Sequence, residues 1–202
     1  YPKLLCSFWD GSHLTPSVWN KVYHKSVLEN LPASEDADRI FFAEDMSLNL
    51  FLLKNCKSFR FIPDKLYIYR NIGITKTFNT NTMFDLDILK KYQIQFIEQQ
   101  NHAEKDEIID MMFTEMAGWL FSYIQQGVLH LNEEKLLDLI QDILNLPRFK
   151  LATQYYETKP EITWLPVSLI RNANPMEYLT AAKNVKKKFS MKKFLRNLLK
   201  RI

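Results

Sequence analysis

Between residues 82 and 182 the large apolar side chains of this chain recur with the spacing of α-helices. Residues three or four positions apart share one face of a helix, whereas a strand face needs a spacing of two. The segment FDLDILKKYQIQFIEQQ illustrates the pattern with Leu86, Leu89, Ile94, Phe96 and Ile97. The chain has only 4 Gly residues, which disfavours a glycine-rich sandwich or a solenoid. We therefore predict a helical extension over residues 81–182, with its Met and aromatic side chains in the core.

Capping residues predict where several of these helices begin and end. Gly127 follows a long apolar segment, and we expect it to terminate that helix as a C-cap. Asn132 is a favourable N-cap for the next helix, which should stop before Pro147. Asn174 precedes Pro175, and proline suits the first position of a helix, so another helix should begin there.

Residues 1–80 show a mixed pattern. The segment AEDMSLNLFLLKNC is rich in helix formers, and Glu44 and Asp45 would lie in its first turn, where carboxylates suit the helix dipole. The segments LLCSFW and KSFRFIPDKLYIYRN instead favour extended strands, the second with a turn at Pro63-Asp64. The polar segment TKTFNTNT then separates this region from the helical one. The prediction is an α/β, helix-rich domain over residues 1–80.

The last 20 residues, 183–202, carry nine Lys and Arg residues and no acidic ones. The first 182 residues keep 18 of the 27 basic residues and all 23 acidic ones, a net charge of −5. Apolar residues from Met191 to Ile202 recur with helical spacing, so the segment predicts a basic amphipathic helix. Such a helix would lie on an anionic membrane surface through Lys187, Lys188, Lys192, Lys193, Arg196, Lys200 and Arg201. The alternative is a helix packed on the body with its lysines outward. We expect no nucleic-acid partner, because the body is acidic.

Two short segments carry side chains that could act in catalysis or bind a ligand. A carboxylate at a helix start, partly shielded by the preceding Phe pair, can act as a general base toward a hydroxyl, and Glu44 and Asp45 are placed for this. Capping and solubility explain the same pair without a function. In the extended run, Tyr67 and Tyr69 would share one face, and Arg70 could bind a phosphate by paired hydrogen bonds. A sheet edge with an exposed Arg is the alternative for that segment.

Taken together, three patterns resemble the second half of family 2 (GT-A fold) glycosyltransferases. The patterns are VWNKVYHKSVL, then AEDMSLNLFLLKNCKSFRFIPDKLYIYR, then GITKTF, in this order within about residues 14–78. Family members commonly show a Trp-Asn-Lys stretch, a Glu-Asp pair that opens a helix, a Tyr-x-Tyr-Arg ending and a short Ser-x-Thr loop. This chain departs at Ile74-Thr75, where the family often has Ser-Ile-Thr.

The resemblance implies roles for specific residues. Asp45 would be the catalytic base that takes the proton from the acceptor hydroxyl during inverting sugar transfer, with Glu44 as its neighbour. Trp19, Asn20 and Lys21 would line the acceptor side, and the Tyr67–Arg70 segment would lie near the donor diphosphate. The implied fold is the acceptor-side half of a GT-A domain.

The nucleotide-binding half of that family, with its Asp-x-Asp metal motif, precedes the Trp-Asn-Lys stretch. Only 15 residues precede Pro16, so we expect that half, and its Mg²⁺ or Mn²⁺, in a longer parent chain. The motif at Asp85–Asp87 falls in a helical segment after the Glu-Asp pair, and we do not expect a metal there. Cys6 and Cys56 are expected to be reduced, and no Cys or His cluster has metal-site spacing.

The leading hypothesis is therefore the acceptor-side part of an inverting glycosyltransferase, inactive as this fragment alone. Its parent would move a sugar from a nucleotide-sugar to a surface-glycan acceptor, as a cytoplasmic protein at the inner face of a bacterial membrane. One alternative is a non-catalytic helical interaction module with a membrane-binding tail, and another is an inactive split-gene remnant. No segment of the sequence is apolar for long enough to span a bilayer.

Overall fold

The computed structural model of the chain describes residues 17–29, 40–58, 60, 62, 78–99 and 105–185. Every regular element in those ranges is an α-helix. In chain order the helices are α1 (Lys25–Leu28), α2 (Glu44–Asn55), α3 (Thr82–Gln99), α4 (Lys105–His130), α5 (Glu133–Leu144), α6 (Pro147–Glu157), α7 (Leu165–Asn172) and α8 (residues 175–185). The chain divides into two compact units, one ending at Met112 and the other beginning at Phe113.

The predicted α/β fold is wrong. The described residues contain helices and no strand, which conflicts with an acceptor-side half of a GT-A domain. Residues 56–58, 60 and 62, where the second β-favouring run begins, are neither helix nor strand, and the rest of that run lies outside the described residues, as does LLCSFW. The physical reason is that β propensity depends on a partner strand, whereas a helix bonds its own backbone. The predicted boundaries at residues 80 and 182 stay a prediction.

In the first unit α2 packs against α3. The carboxylates of Glu44 and Asp45 lie in the first turn of α2, as predicted. The apolar stripe predicted for α3 is buried at four of its five positions and half-buried at Ile94. The sequence pattern missed that Lys90 and Gln93 are also fully buried in α3. The Gln93 side-chain amide donates to the Met46 sulfur at 3.4 Å and so connects the two helices.

In the second unit two of the predicted helix starts are confirmed, and one predicted helix end is wrong. The Asn132 side chain accepts a hydrogen bond from the Lys135 amide at 2.9 Å, which is an N-cap on α5. Asn174 caps α8 in the same way through the Met176 amide at 3.0 Å. Gly127 does not end α4, because that helix continues to His130 and buries Gly127 on its packed side. Packing offsets the roughly 1 kcal/mol by which Gly disfavours a helix interior.

The core of the second unit consists of large apolar and aromatic side chains from five helices, α4 to α8. The predicted core role of the Met and aromatic residues is confirmed at Met116, Phe149, Tyr156 and Tyr178, which are each fully buried. It is wrong at Trp119, Trp164 and Met176, which are exposed. The Tyr156 hydroxyl shares a 2.8 Å hydrogen bond with the Thr114 hydroxyl. The Tyr178 hydroxyl, by contrast, is buried without a hydrogen-bond partner among the described residues. Within those residues this unit is a packed helical body.

Candidate functional site

The Glu44–Asp45 pair begins α2 directly after a sharp backbone turn. Ala43 has a φ of 62°, in the left-handed region, and its carbonyl accepts the first hydrogen bond of the helix from the Ser47 amide at 3.0 Å. The left-handed conformation costs a residue other than glycine about 1–2 kcal/mol, so the surrounding structure must enforce it. Glu44 is exposed and Asp45 is half-buried. The turn therefore fixes where α2 begins and, with it, the position of the Glu44–Asp45 pair.

The Trp-Asn-Lys stretch lies against this helix start. The Asp45 Oδ2 atom accepts a hydrogen bond from the Val18 amide at 3.3 Å, across 27 positions of sequence. Residues 18–21 form a turn that the Lys21 amide closes by donating to the Val18 carbonyl at 3.1 Å. The structure thus brings together two of the segments that the sequence singled out, with Asp45 at the point where they meet.

A second connection, which the sequence reasoning missed, lies one turn further along α2. The Tyr23 hydroxyl donates to the Asn49 Oδ1 atom at 2.5 Å. The Asn49 side-chain nitrogen in turn donates to the Asp45 carbonyl at 2.7 Å, and Asn49 is only 2% exposed. Tyr23 ends the WNKVY stretch and Asn49 lies four positions after Asp45, so both lie within the recognised motifs. Neither motif indicated that the two side chains pair.

Charge and burial shape the site around Asp45. Burial lowers the pKa of the Lys21 ammonium, and the Asp45 charge partly opposes that change. The Lys21 ammonium donates to the Asn20 Oδ1 atom at 2.9 Å and to the Ser17 carbonyl. Burial also raises the pKa of Tyr23 to about 12, with the Asp45 charge adding to the effect. The carboxylate thus lies within the electrostatic reach of one cation and one phenol.

Two of the predicted acceptor-side residues remain accessible beside the carboxylate. Trp19 is 41% exposed and Asn20 is exposed in the same turn. An indole combines a large flat apolar face with a polar edge, which suits a ring that is itself apolar on one face and hydroxylated at its rim. The arrangement is a carboxylate, an ammonium, an amide and an indole within one short segment and one helix start.

The other predicted site residues lie outside the described ranges. They are the donor-diphosphate residues Tyr67, Tyr69 and Arg70 and the membrane-binding residues Lys187, Lys188, Lys192, Lys193, Arg196, Lys200 and Arg201. Their predicted roles stay predictions.

The Asp-x-Asp motif in α3 does not fit a metal site. The Asp85 Oδ2 atom accepts hydrogen bonds from the backbone amides of Phe41 and Phe42, at 3.1 and 2.9 Å. Asp85 and Asp87 are both buried. Within the described residues no group of three or more Cys, His, Asp or Glu side chains could hold a metal ion. The residues present give no reason to place the Mg²⁺ or Mn²⁺ implied by the resemblance in this part of the chain.

Comparison with protein-family models, curated proteins and solved structures finds no match for this chain. A search of the described helices for a membrane span finds none that is both long and apolar enough.

Proposed function

We propose that residues 18–23 and the start of α2 form the acceptor side of a sugar-transfer site in an inverting glycosyltransferase, with Asp45 as its general base. The observation that carries the proposal is the hydrogen bond from the Val18 amide to Asp45, which joins the Trp-Asn-Lys turn to a half-buried carboxylate. A general base needs a fixed position within hydrogen-bond reach of the proton that it removes. The Val18 amide and the first turn of α2 together provide such a position.

The proposed reaction balances with the groups present. One carboxylate oxygen of Asp45 is bound by the Val18 amide, and we assign the other to the acceptor hydroxyl. As that hydroxyl oxygen forms its bond to the anomeric carbon, its proton passes to Asp45. The bond from the anomeric carbon to the diphosphate breaks, and the nucleoside diphosphate leaves with the electron pair. Attack from the face opposite the leaving group inverts the anomeric configuration.

The neighbouring residues supply acceptor binding in this proposal. The exposed indole of Trp19 stacks against the acceptor sugar ring, and the Asn20 side chain bonds a ring hydroxyl. The Lys21 ammonium lies near enough for its charge to interact with that of Asp45, and we assign it to the polar lining on this side of the site. Tyr67, Tyr69 and Arg70 are assigned to the donor diphosphate on the sequence resemblance alone.

The test is Asp45→Asn in a protein that contains this sequence together with its donor-binding region. The amide keeps the size of the carboxylate and its acceptor oxygen for the Val18 amide, but it cannot take a proton. Sugar transfer should be abolished, while calorimetry should show nucleotide-sugar binding nearly unchanged. Glu44→Gln is the matched control, because Glu44 is exposed on the same turn and should retain most of the turnover. Retained turnover in Asp45→Asn would remove the base role and favour the non-catalytic helical module.

A membrane location accompanies this function in the proposal. The concentration of nine basic residues in residues 183–202, against a net charge of −5 for the rest, supports binding to an anionic surface. Such a protein would sit peripherally at the inner face of the cell membrane, near a lipid-linked or surface-glycan acceptor.

A further inference from the structure

The first turn of α3 contains a buried carboxylate whose hydrogen bonds lead to the site. Asp85 is 5% exposed, and its Oδ2 atom accepts the amides of Phe41 and Phe42 at 3.1 and 2.9 Å. A carboxylate near a helix start often bonds amides of its own helix. Asp85 instead binds a segment that lies 43 positions earlier in the chain. Burying a charge is unfavourable unless it is well bonded, so these two amide bonds are part of what keeps Asp85 in this place.

The residues of the segment that Asp85 binds differ in burial. Phe41 is 80% exposed, so its side chain contributes little apolar burial, and Phe42 is half-buried. Only Ile40, at the start of the segment, is buried. The hydrogen bonds to Asp85 hold the backbone of residues 41 and 42 directly, at its two amides.

The same backbone determines where the Glu-Asp pair lies. Ala43 follows directly, with its left-handed φ of 62°, and α2 begins at Glu44. A strained conformation persists only where its surroundings fix it, and the two amides held by Asp85 directly precede Ala43. A shift at Phe42 would be passed through Ala43 to Asp45 within three residues.

We propose that Asp85 is a positioning residue for the general base Asp45. It acts through the Phe41 and Phe42 amides and the Ala43 turn, and it does not touch substrate. This inference rests on the proposed function, since it assigns to Asp85 the placement of the group that would remove the proton. It also gives the Asp-x-Asp motif of α3 a purpose other than metal binding.

The test compares Asp85→Ala and Asp85→Asn with the parent protein, with its donor-binding region present. Two quantities are measured, the hydrogen exchange of the Phe41 and Phe42 amides and the kcat and donor KM of sugar transfer. Asp85→Ala should speed exchange at both amides at least tenfold and lower kcat about 10- to 100-fold, the cost of misplacing a catalytic group by about 1 Å. The donor KM should change by less than about twofold, because donor binding does not involve this turn.

Asp85→Asn keeps an acceptor oxygen for the amides but loses the charge that strengthens those bonds about twofold. It should show a smaller increase in exchange and a loss in kcat of about threefold. Ile97→Val is the control for a general loss of stability, because Ile97 is buried in the same helix and away from the amides of residues 41 and 42. Its kcat should match the parent, whereas a merely structural role for Asp85 predicts that both variants behave like Ile97→Val.

The results of these experiments distinguish a failure of the positioning role of Asp85 from a failure of the proposed function. If Asp85→Ala speeds amide exchange and leaves kcat unchanged while Asp45→Asn abolishes transfer, the positioning role is overturned and the proposed function stands. If Asp45→Asn retains turnover, the proposed function fails and the positioning role fails with it. If Asp85→Ala does not fold, Asp85→Asn decides alone: exchange and kcat equal to those of the parent overturn the proposal.

Discussion

The hydrogen bond between Tyr23 and Asn49 offers the sharpest test of how the Trp-Asn-Lys turn is attached to α2. Tyr23→Phe removes only the hydroxyl that donates to the Asn49 Oδ1 atom. A neutral hydrogen bond contributes about 0.5–1.5 kcal/mol net, and an acceptor left unsatisfied in the interior costs about 1–3 kcal/mol. Asn49 is 2% exposed, which favours the upper range, but Tyr23 is half-buried, so water can reach part of the vacated space. We expect a loss of about 1–2 kcal/mol.

The loss should be measured locally, because a chain with two compact units need not unfold in a single two-state transition. Native-state hydrogen exchange reports the opening free energy of individual segments. The Val18 and Lys21 amides are suitable probes, since both are bonded in the turn that Tyr23 anchors. A loss of 1–2 kcal/mol corresponds to exchange about 5- to 30-fold faster. Tyr156→Phe, which removes a bond of the second unit, should leave both probes unchanged. Exchange within twofold of the parent in Tyr23→Phe would refute the proposed anchor.

Burial of the Tyr23 hydroxyl gives the stability of this region a pH dependence, and its sign follows from the direction of the pKa change. The pKa of Tyr23 is raised to about 12 from 10.0, first by burial and then by the Asp45 charge. The folded chain therefore holds this proton more tightly than the unfolded chain does. The stabilisation is complete below pH 10 and is lost as the pH rises toward 12. The phenolate absorbance of the parent minus that of Tyr23→Phe should titrate near pH 12, and a midpoint near 10 would contradict the buried anchor.

Two further predictions concern the second unit and the tail. Ala173→Gly should stabilise the chain by about 1 kcal/mol and raise its thermal midpoint, because Ala173 ends α7 with a φ of 47°, which glycine adopts without strain; an unchanged or lower midpoint would contradict this. Deleting residues 186–202 should release the protein from anionic vesicles in co-sedimentation and leave its behaviour with neutral vesicles as before. Unchanged binding to anionic vesicles would exclude the tail as the membrane contact.

The sequence predicted the local features of the fold well. The starts of α5 and α8 follow from the side chains of Asn132 and Asn174, which act within three residues of their own position. The end assigned at Gly127 was wrong, because burial of that glycine inside α4 is a tertiary effect that local preference cannot reveal. The α/β assignment was wrong for a similar reason, since it relied on short β-favouring runs whose partners were only assumed.

The same contrast between local and tertiary features applies to the candidate site. The sequence singled out Asp45 and the Trp-Asn-Lys stretch through a resemblance, and the structure brings them together through the Val18 amide. It did not indicate the pairing of Tyr23 with Asn49 across 26 positions, or the two amide bonds to Asp85. Both arise from the way α2 packs on α3 and on the preceding turn. Polar pairs of this kind leave no periodic pattern in a sequence.

The central claim is that Asp45 removes a proton from a sugar hydroxyl, and a single-turnover measurement tests it most directly. With nucleotide-sugar saturating, the rate of sugar transfer by Asp45→Asn is compared with that of the parent protein. General-base catalysis contributes about 10²- to 10⁴-fold, so we predict a loss of that size with donor affinity nearly unchanged. A transfer rate within threefold of the parent would show that Asp45 is not the base.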